Sequence, residues 1–284
     1  MLTTKINWEI HDYCQSKCSY CPKRFWGGSI PVNISEYLRV TKLLIDHYHS
    51  LGRTIEWSFN GGEPLELHGF PMILKLCKQH NGNITVNSSG GKLWLDWWAI
   101  EPNIDNVILT YHYWQRSNLI EFILDIFQKK GKNFNLLVPI RPDHFSEDIE
   151  RFQSMKDRYG EKVNHIILYR EASNISGIFP YSNDQLADLG RQDLIVQKDS
   201  YKKTTHLERL NISHNMNPSF TGSRCNEGIE RLYIGAQGWV SGSICQNTNF
   251  GNIWNAEWVP PKEPSICNMI SCIHSSDQEI TKLL

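Results

Sequence analysis

The sequence predicts a parallel α/β fold followed by a small C-terminal unit of different style. Three observations lead there. From Ile6 to about Arg170, short β-rich runs alternate with amphipathic helical stretches. Beyond that point the alternation breaks, and a hairpin signal appears near the C-terminus. Seven of the eight cysteines gather at the two ends, at 14, 18 and 21 and at 225, 245, 267 and 272, leaving Cys77 alone.

The strand candidates are Lys5–His11, Thr54–Asn60, Asn83–Asn87, Asn106–Tyr111, Phe134–Ile140 and Val163–Tyr169. Each is rich in Val, Ile, Leu or aromatics and ends in a polar or glycine-containing turn. Between them, Ser35–Ser50 sets Leu38, Leu43, Leu44 and Tyr48 near one helical face, with Ser35 as N-cap. Asn118–Lys130 does the same through Leu119, Phe122, Ile123, Ile126 and Phe127, and Gly131 stands where a C-cap belongs. Six strand–helix units fit an open, partial barrel, since a closed one needs eight, and they fit a doubly wound sheet equally well. Either arrangement gathers ligands at the carboxyl ends of the strands. Residues 1–170 form this unit, and 171–222, with one short helical stretch near Asp184–Leu189, read as a bridge. In 223–284, Ile229–Ile234 and Trp239–Ile244 flank the turn Gly235-Ala236-Gln237-Gly238.

Composition narrows the function. With 284 residues, 40% of them hydrophobic and 21% charged, a packed core is feasible and disorder is not expected. Lys plus Arg number 29 against 30 Asp plus Glu, a net charge of −1, which argues against nucleic acid or anionic membrane as partner. There is no apolar run of membrane-span length, and the start lacks a signal-peptide core, so the chain reads as soluble and cytosolic. In a reducing cytosol eight cysteines point to metal binding or catalysis rather than disulfides.

Cys14, Cys18 and Cys21 have the spacing C-x3-C-x2-C directly after the first strand. Three thiols within eight residues cannot project from one strand or helix face, so the segment must loop around its ligand. A closed zinc site needs a fourth ligand, for which only a distant residue such as His11 is on offer. A [4Fe–4S] cube held by three cysteines leaves one iron open. The second strand candidate runs into Asn60-Gly61-Gly62-Glu63-Pro64, a glycine turn at a strand's carboxyl end.

These two segments together resemble the radical S-adenosylmethionine (radical SAM) superfamily, whose motifs are CX3CXΦC, with Tyr20 here at the aromatic position, and GGEP one βα unit later. The resemblance implies a partial (β/α)6 TIM-like barrel. It implies that Cys14, Cys18 and Cys21 each hold one iron of a [4Fe–4S] cluster, whose fourth iron chelates S-adenosylmethionine. The cofactor's methionine would meet Gly61, Gly62, Glu63 and Pro64, and Ser88, Thr110 and Arg116 occupy positions similar to further cofactor contacts. Relatives often carry an Asp where His112 stands; a loop histidine without catalytic duty is the expectation there. An external flavodoxin- or ferredoxin-type reductant would supply the electron that cleaves S-adenosylmethionine to a 5′-deoxyadenosyl radical, which abstracts hydrogen from a substrate C–H bond.

Cys225, Cys245, Cys267 and Cys272 around the hairpin resemble the auxiliary-cluster extensions called SPASM and twitch domains, and four cysteines match the shorter twitch form. Twelve residues separate Cys225 from Gly238, as in that pattern, but six rather than four separate Gly238 from Cys245. The resemblance implies an auxiliary iron–sulfur cluster; the spacing alone also permits a four-cysteine zinc site. A second cluster able to accept an electron favours net oxidation of a ribosomal peptide, with a sugar or nucleoside-like small molecule as the alternative. Because Cys14 comes so early, an N-terminal peptide-recognition domain is not expected, and a leader-guided peptide would need a separate recognition protein. Cys77 reads as a core residue, and Trp94, Trp97 and Trp98 as a packed helix face. The rival of another class is a non-enzymatic zinc-binding interaction module.

Overall fold

A computed structural model describes residues 2–283 apart from 19–20, 22, 26, 92–93, 116, 169–180, 191–219, 246, 270–271, 273–276 and 278. Tyr20, Arg116 and most of the bridge therefore lie outside the described residues. The strands β1 (Leu2–Glu9), β2 (Arg53–Asn60), β3 (Asn83–Ser88), β4 (Asn106–Thr110), β5 (Asn133–Ile140) and β6 (Val163–Ile167) pair in chain order, each parallel to the one before. A doubly wound sheet reverses its order at a switch point. This order does not reverse, which decides for the partial barrel.

The helices between the strands are α1 (Ile34–Ser50), α2 (Phe70–Gln79), α3 (Trp94–Ile100), α4 (Ser117–Lys129) and α5 (Phe145–Tyr159); α6 (Asn183–Asp188) lies in the bridge. Strand residues alternate. Ile6, Trp8, Ile55, Trp57, Phe59, Ile84, Val86, Val107, Leu109, Leu136 and Val138 are buried in one core with Tyr37, Val40, Leu44, Ile73, Leu74, Ile123 and Phe127 of the helices. Each such aliphatic side chain contributes about 1.5–3 kcal/mol by leaving water. The opposite strand face carries Asn7, Ser58, Asn60, Thr85, Asn87 and Thr110, all half-buried and polar. There Asn60 donates to Asn7 Oδ1, and Asn87 donates to Ser58 Oγ at 3.3 Å.

Two local expectations need correction. The N-cap of α1 is Asn33, not Ser35: Asn33 Oδ1 accepts from Glu36 N at 3.3 Å, and Ser35 Oγ is spent donating to the same oxygen at 2.5 Å. On α3, Trp97 is buried and its indole donates to Gly90 O at 2.8 Å, but Trp98 is 52% exposed, so the tryptophans do not share one packed face. Gly131 does close α4, with φ +64°. Cys77 is fully buried in α2 among the core residues.

The C-terminal hairpin, β8 (Arg231–Ile234) and β9 (Trp239–Ser241), does not stand apart from the barrel. β8 pairs parallel with β1, from Lys5 opposite Arg231 to Trp8 opposite Ile234. β9 and β10 (Asn249–Asn252) continue antiparallel, giving one nine-stranded sheet in the order β10-β9-β8-β1-β2-β3-β4-β5-β6. A separate small sheet joins β7 (Arg224–Cys225) to β11 (Ser265–Ile266) and β12 (Lys282–Leu283). Because β8 runs with β1, the hairpin turn reaches the carboxyl end of the barrel, where Gln237 Nε2 donates to Asp12 Oδ2 at 2.7 Å. No helix among the described residues is long and apolar enough to cross a membrane.

Candidate active site

At the carboxyl ends of the strands lies an open cavity of about 280 Å³. Cys14, Cys18 and Cys21 line it from the loop after β1, Gly61, Gly62 and Glu63 from the turn after β2, Ser88 and Ser89 from the end of β3, Thr110 and His112 from the end of β4, and Ile166 and Leu168 from the end of β6 and just beyond it. Residues up to 154 positions apart in the chain, from Cys14 to Leu168, thus meet at one end of the sheet. Pro64 is buried just behind, opening the short helical turn Pro64–Glu66.

The glycines are required by the loop carrying the cysteines. Gly62 N donates to His11 O at 2.7 Å, and Glu63 N donates to Tyr13 O at 3.0 Å. A Cβ on Gly62 would fall 2.0 Å from Tyr13 O; one on Gly61, where φ is +120°, would fall 2.4 Å from His11 O. The turn therefore clasps the root of the cysteine loop. Glu63 then locks the turn to β3. Its carboxylate accepts from Ser88 Oγ at 2.7 Å, Ser89 N at 2.7 Å, Ser89 Oγ at 2.5 Å and Leu65 N at 3.2 Å. Burial raises its pKa above the ordinary carboxylate value. With both oxygens engaged, Glu63 organises the site by holding two loops together.

The three thiols differ. Burial raises Cys14. Cys18 and Cys21 share a hydrogen bond that pushes Cys18 down to about 4 and Cys21 up, with burial adding to the rise of Cys21. The His112 ring, its Nδ1 3.7 Å from the Cys18 sulfur, lowers Cys18 further. His112 is 7% exposed, its backbone N–H donates to Gln115 Oε1 at 2.6 Å, and its ring lies parallel to that of Trp114, 4° apart with centroids at 5.5 Å. Gln115 in turn donates to Ser89 O, tying this loop to β3. Sequence reasoning left His112 without a catalytic duty and did not consider Trp114; the histidine's place beside a strand's carboxyl end was the available signal.

No family model matches the chain, and no curated protein matches it. Solved structures do. The chain is similar to anSMEcpe with bound AdoMet at a TM-score of 0.55 and 15% identity, covering 89% of this chain and 78% of that one. It is similar to SuiB of Streptococcus suis at a TM-score of 0.57 and 14% identity, covering 90% of this chain and 64% of that one. Both are radical SAM enzymes. The fold is that of the radical SAM enzymes.

Within that fold the late cysteines occupy a second location. Cys225 in β7 lies opposite Ser265, and Cys267 N donates to Ser223 O at 2.8 Å, which brings Cys225 and Cys267 into one small apolar cluster with Ile280. Burial pushes Cys225 up to about 11. Cys245 follows the hairpin, its N–H donating to Asp277 Oδ2 at 2.7 Å and its thiol 2.8 Å from Ser243 Oγ. Burial raises Cys245 as well, and the nearby Asp277 and Glu227 add to the rise; Glu227, itself buried, accepts from Asn247 and Thr248. Cys272 is buried.

Proposed function

We propose that this chain is a radical SAM enzyme, with Cys14, Cys18 and Cys21 holding a [4Fe–4S] cluster that keeps one iron open for S-adenosylmethionine. The observation that carries the reading is the single cavity in which the three thiols face the Gly61–Glu63 turn. The donor set fits the group: three soft sulfurs suit iron–sulfur chemistry.

When bound, the cluster and S-adenosylmethionine supply one-electron cleavage of the cofactor and hydrogen abstraction from a substrate C–H bond. The chain's own part is placement. Gly61 and Gly62 bring bare backbone to the cavity wall, in line with the contact expected for the cofactor's methionine. Asn60, Asn87, Ser88 and Thr110 offer hydrogen-bonding groups around it. Ile166 and Leu168 form an apolar flank that limits water near the reacting bond. Tyr20 and Arg116 remain candidates outside the described residues.

We assign residues 1–170 to the barrel, 171–222 to the bridge and 223–284 to the twitch-like unit holding an auxiliary cluster through Cys225, Cys245, Cys267 and Cys272. The substrate class we favour is a ribosomal peptide, oxidised with the auxiliary cluster as electron acceptor. Structures of anSMEcpe with the Cp18Cys peptide and of SuiB with precursor peptide SuiA support that choice. A reductant of the flavodoxin or ferredoxin type and a separate peptide-recognition protein are the proposed partners, in the cytosol. The polar strand face bearing Asn7, Ser58, Asn60 and Thr85 favours a second reading, a sugar or nucleoside-like substrate.

Anaerobic reconstitution followed by iron and sulfide analysis tests the site. The wild-type chain should bind iron and sulfide together, and Cys14/Cys18/Cys21→Ala should lose about four of each per chain. A colourless protein holding only zinc would refute the proposal.

A further inference from the structure

The loop after β4 brings the imidazole of His112 to a cysteine sulfur. His112 Nδ1 lies 3.7 Å from Cys18 Sγ. The imidazole is held firmly there. His112 is buried, its backbone is fixed by Gln115, and it lies flat against Trp114. Gln115 is anchored to Ser89, which Glu63 holds in turn, so the loop is fastened to the same frame as the turn after β2. For a residue that merely fills space beside an apolar flank, a hydrocarbon ring would serve equally; ring nitrogens are what this position adds.

We propose that His112 is a positioning residue that donates a hydrogen bond from Nδ1 to the Cys18 sulfur and thereby makes the cluster easier to reduce. The inference rests on the radical SAM reading of the site. Its physical basis is charge. Reduction adds an electron to a group whose charge is shared with the cysteine sulfurs, and an N–H donor stabilises the more negative state. Donation from Nδ1 leaves Nε2 of His112 as the acceptor nitrogen.

The test is a redox titration of the anaerobically reconstituted protein, followed by electron paramagnetic resonance of the reduced cluster. The titration uses the Cys225/Cys245/Cys267/Cys272→Ala background, so that only one cluster reports. His112→Phe keeps a flat ring against Trp114 and removes the donor. We expect it to disfavour the reduced form by about tenfold, a potential lower by about 59 mV for one electron, with iron content unchanged. His112→Asn, whose side-chain amide places an N–H near the Nδ1 position, should restore the wild-type potential. An unchanged potential in His112→Phe would overturn the inference. So would loss of iron from it, which would assign the ring to cluster assembly. A parent protein that takes up no iron would instead refute the underlying reading of the site.

Discussion

The Glu63 carboxylate accepts a hydrogen bond from Ser88 Oγ at 2.7 Å, joining the turn after β2 to the end of β3 across a gap of 25 residues. Ser89 strengthens the join through its N–H and hydroxyl. Truncating Glu63 to Ala leaves these donors buried without a partner and should cost about 3 kcal/mol in urea unfolding. Glu63→Gln keeps one acceptor and should cost less. Burial raises the Glu63 pKa above its ordinary 4.5, so the folded chain holds a proton the unfolded chain releases. That contribution to stability is complete below pH 4.5 and is lost as pH rises through the raised value; Glu63→Gln should abolish this part of the profile.

Gly62→Ala tests the clasp between the turn after β2 and the cysteine loop. Its Cβ would meet Tyr13 O at 2.0 Å, and backbone on both sides must move. We expect a loss of about 1–3 kcal/mol, together with reduced iron uptake measured after reconstitution. Unaltered iron content would separate the turn from the placement of the cysteines.

His11 has the opposite pH signature. Its Nδ1 accepts from Tyr13 N at 3.1 Å, and burial lowers its pKa from 6.5 to about 4. The folded chain therefore binds fewer protons than the unfolded one between those values. Stability from this group is fully present above pH 6.5 and is lost as pH falls through about 4, a change of roughly 3 kcal/mol. His11→Asn, which keeps an acceptor for Tyr13 N–H, should flatten the acid limb of the stability profile measured by denaturant unfolding.

The late cysteines are tested separately from the early ones. If Cys225, Cys245, Cys267 and Cys272 hold a second cubane cluster, Cys225→Ala should lower iron by up to about four per chain while S-adenosylmethionine cleavage persists. Asp277→Ala removes the acceptor of the Cys245 N–H and should weaken the same site without touching the first. Iron that stays constant in Cys225→Ala would refute the auxiliary cluster.

The strand–helix rhythm and the carboxyl-end location of the site were legible in the sequence because both rest on local patterning. What the residues alone left open, barrel against doubly wound sheet, turns on strand order, and only the pairing of β1 through β6 settled it. The attachment of β8 to β1 was not legible for a related reason: Lys5 and Arg231 pair across more than 220 residues, and parallel pairing leaves no local trace. The cap of α1 was misread because Asn33 and Ser35 are both good cap residues, and the choice lies in which side chain reaches Glu36 N. His112 went unassigned because its partner, Cys18, is 94 residues away.

The most direct measurement is S-adenosylmethionine turnover by the reconstituted, reduced protein under anaerobic conditions, read as 5′-deoxyadenosine by chromatography. The account predicts that the wild-type chain forms 5′-deoxyadenosine and that Cys14→Ala, Cys18→Ala and Cys21→Ala each abolish it. Iron-loaded wild-type protein that leaves S-adenosylmethionine intact, or a Cys18→Ala variant that cleaves it as fast as the wild type, would contradict the account.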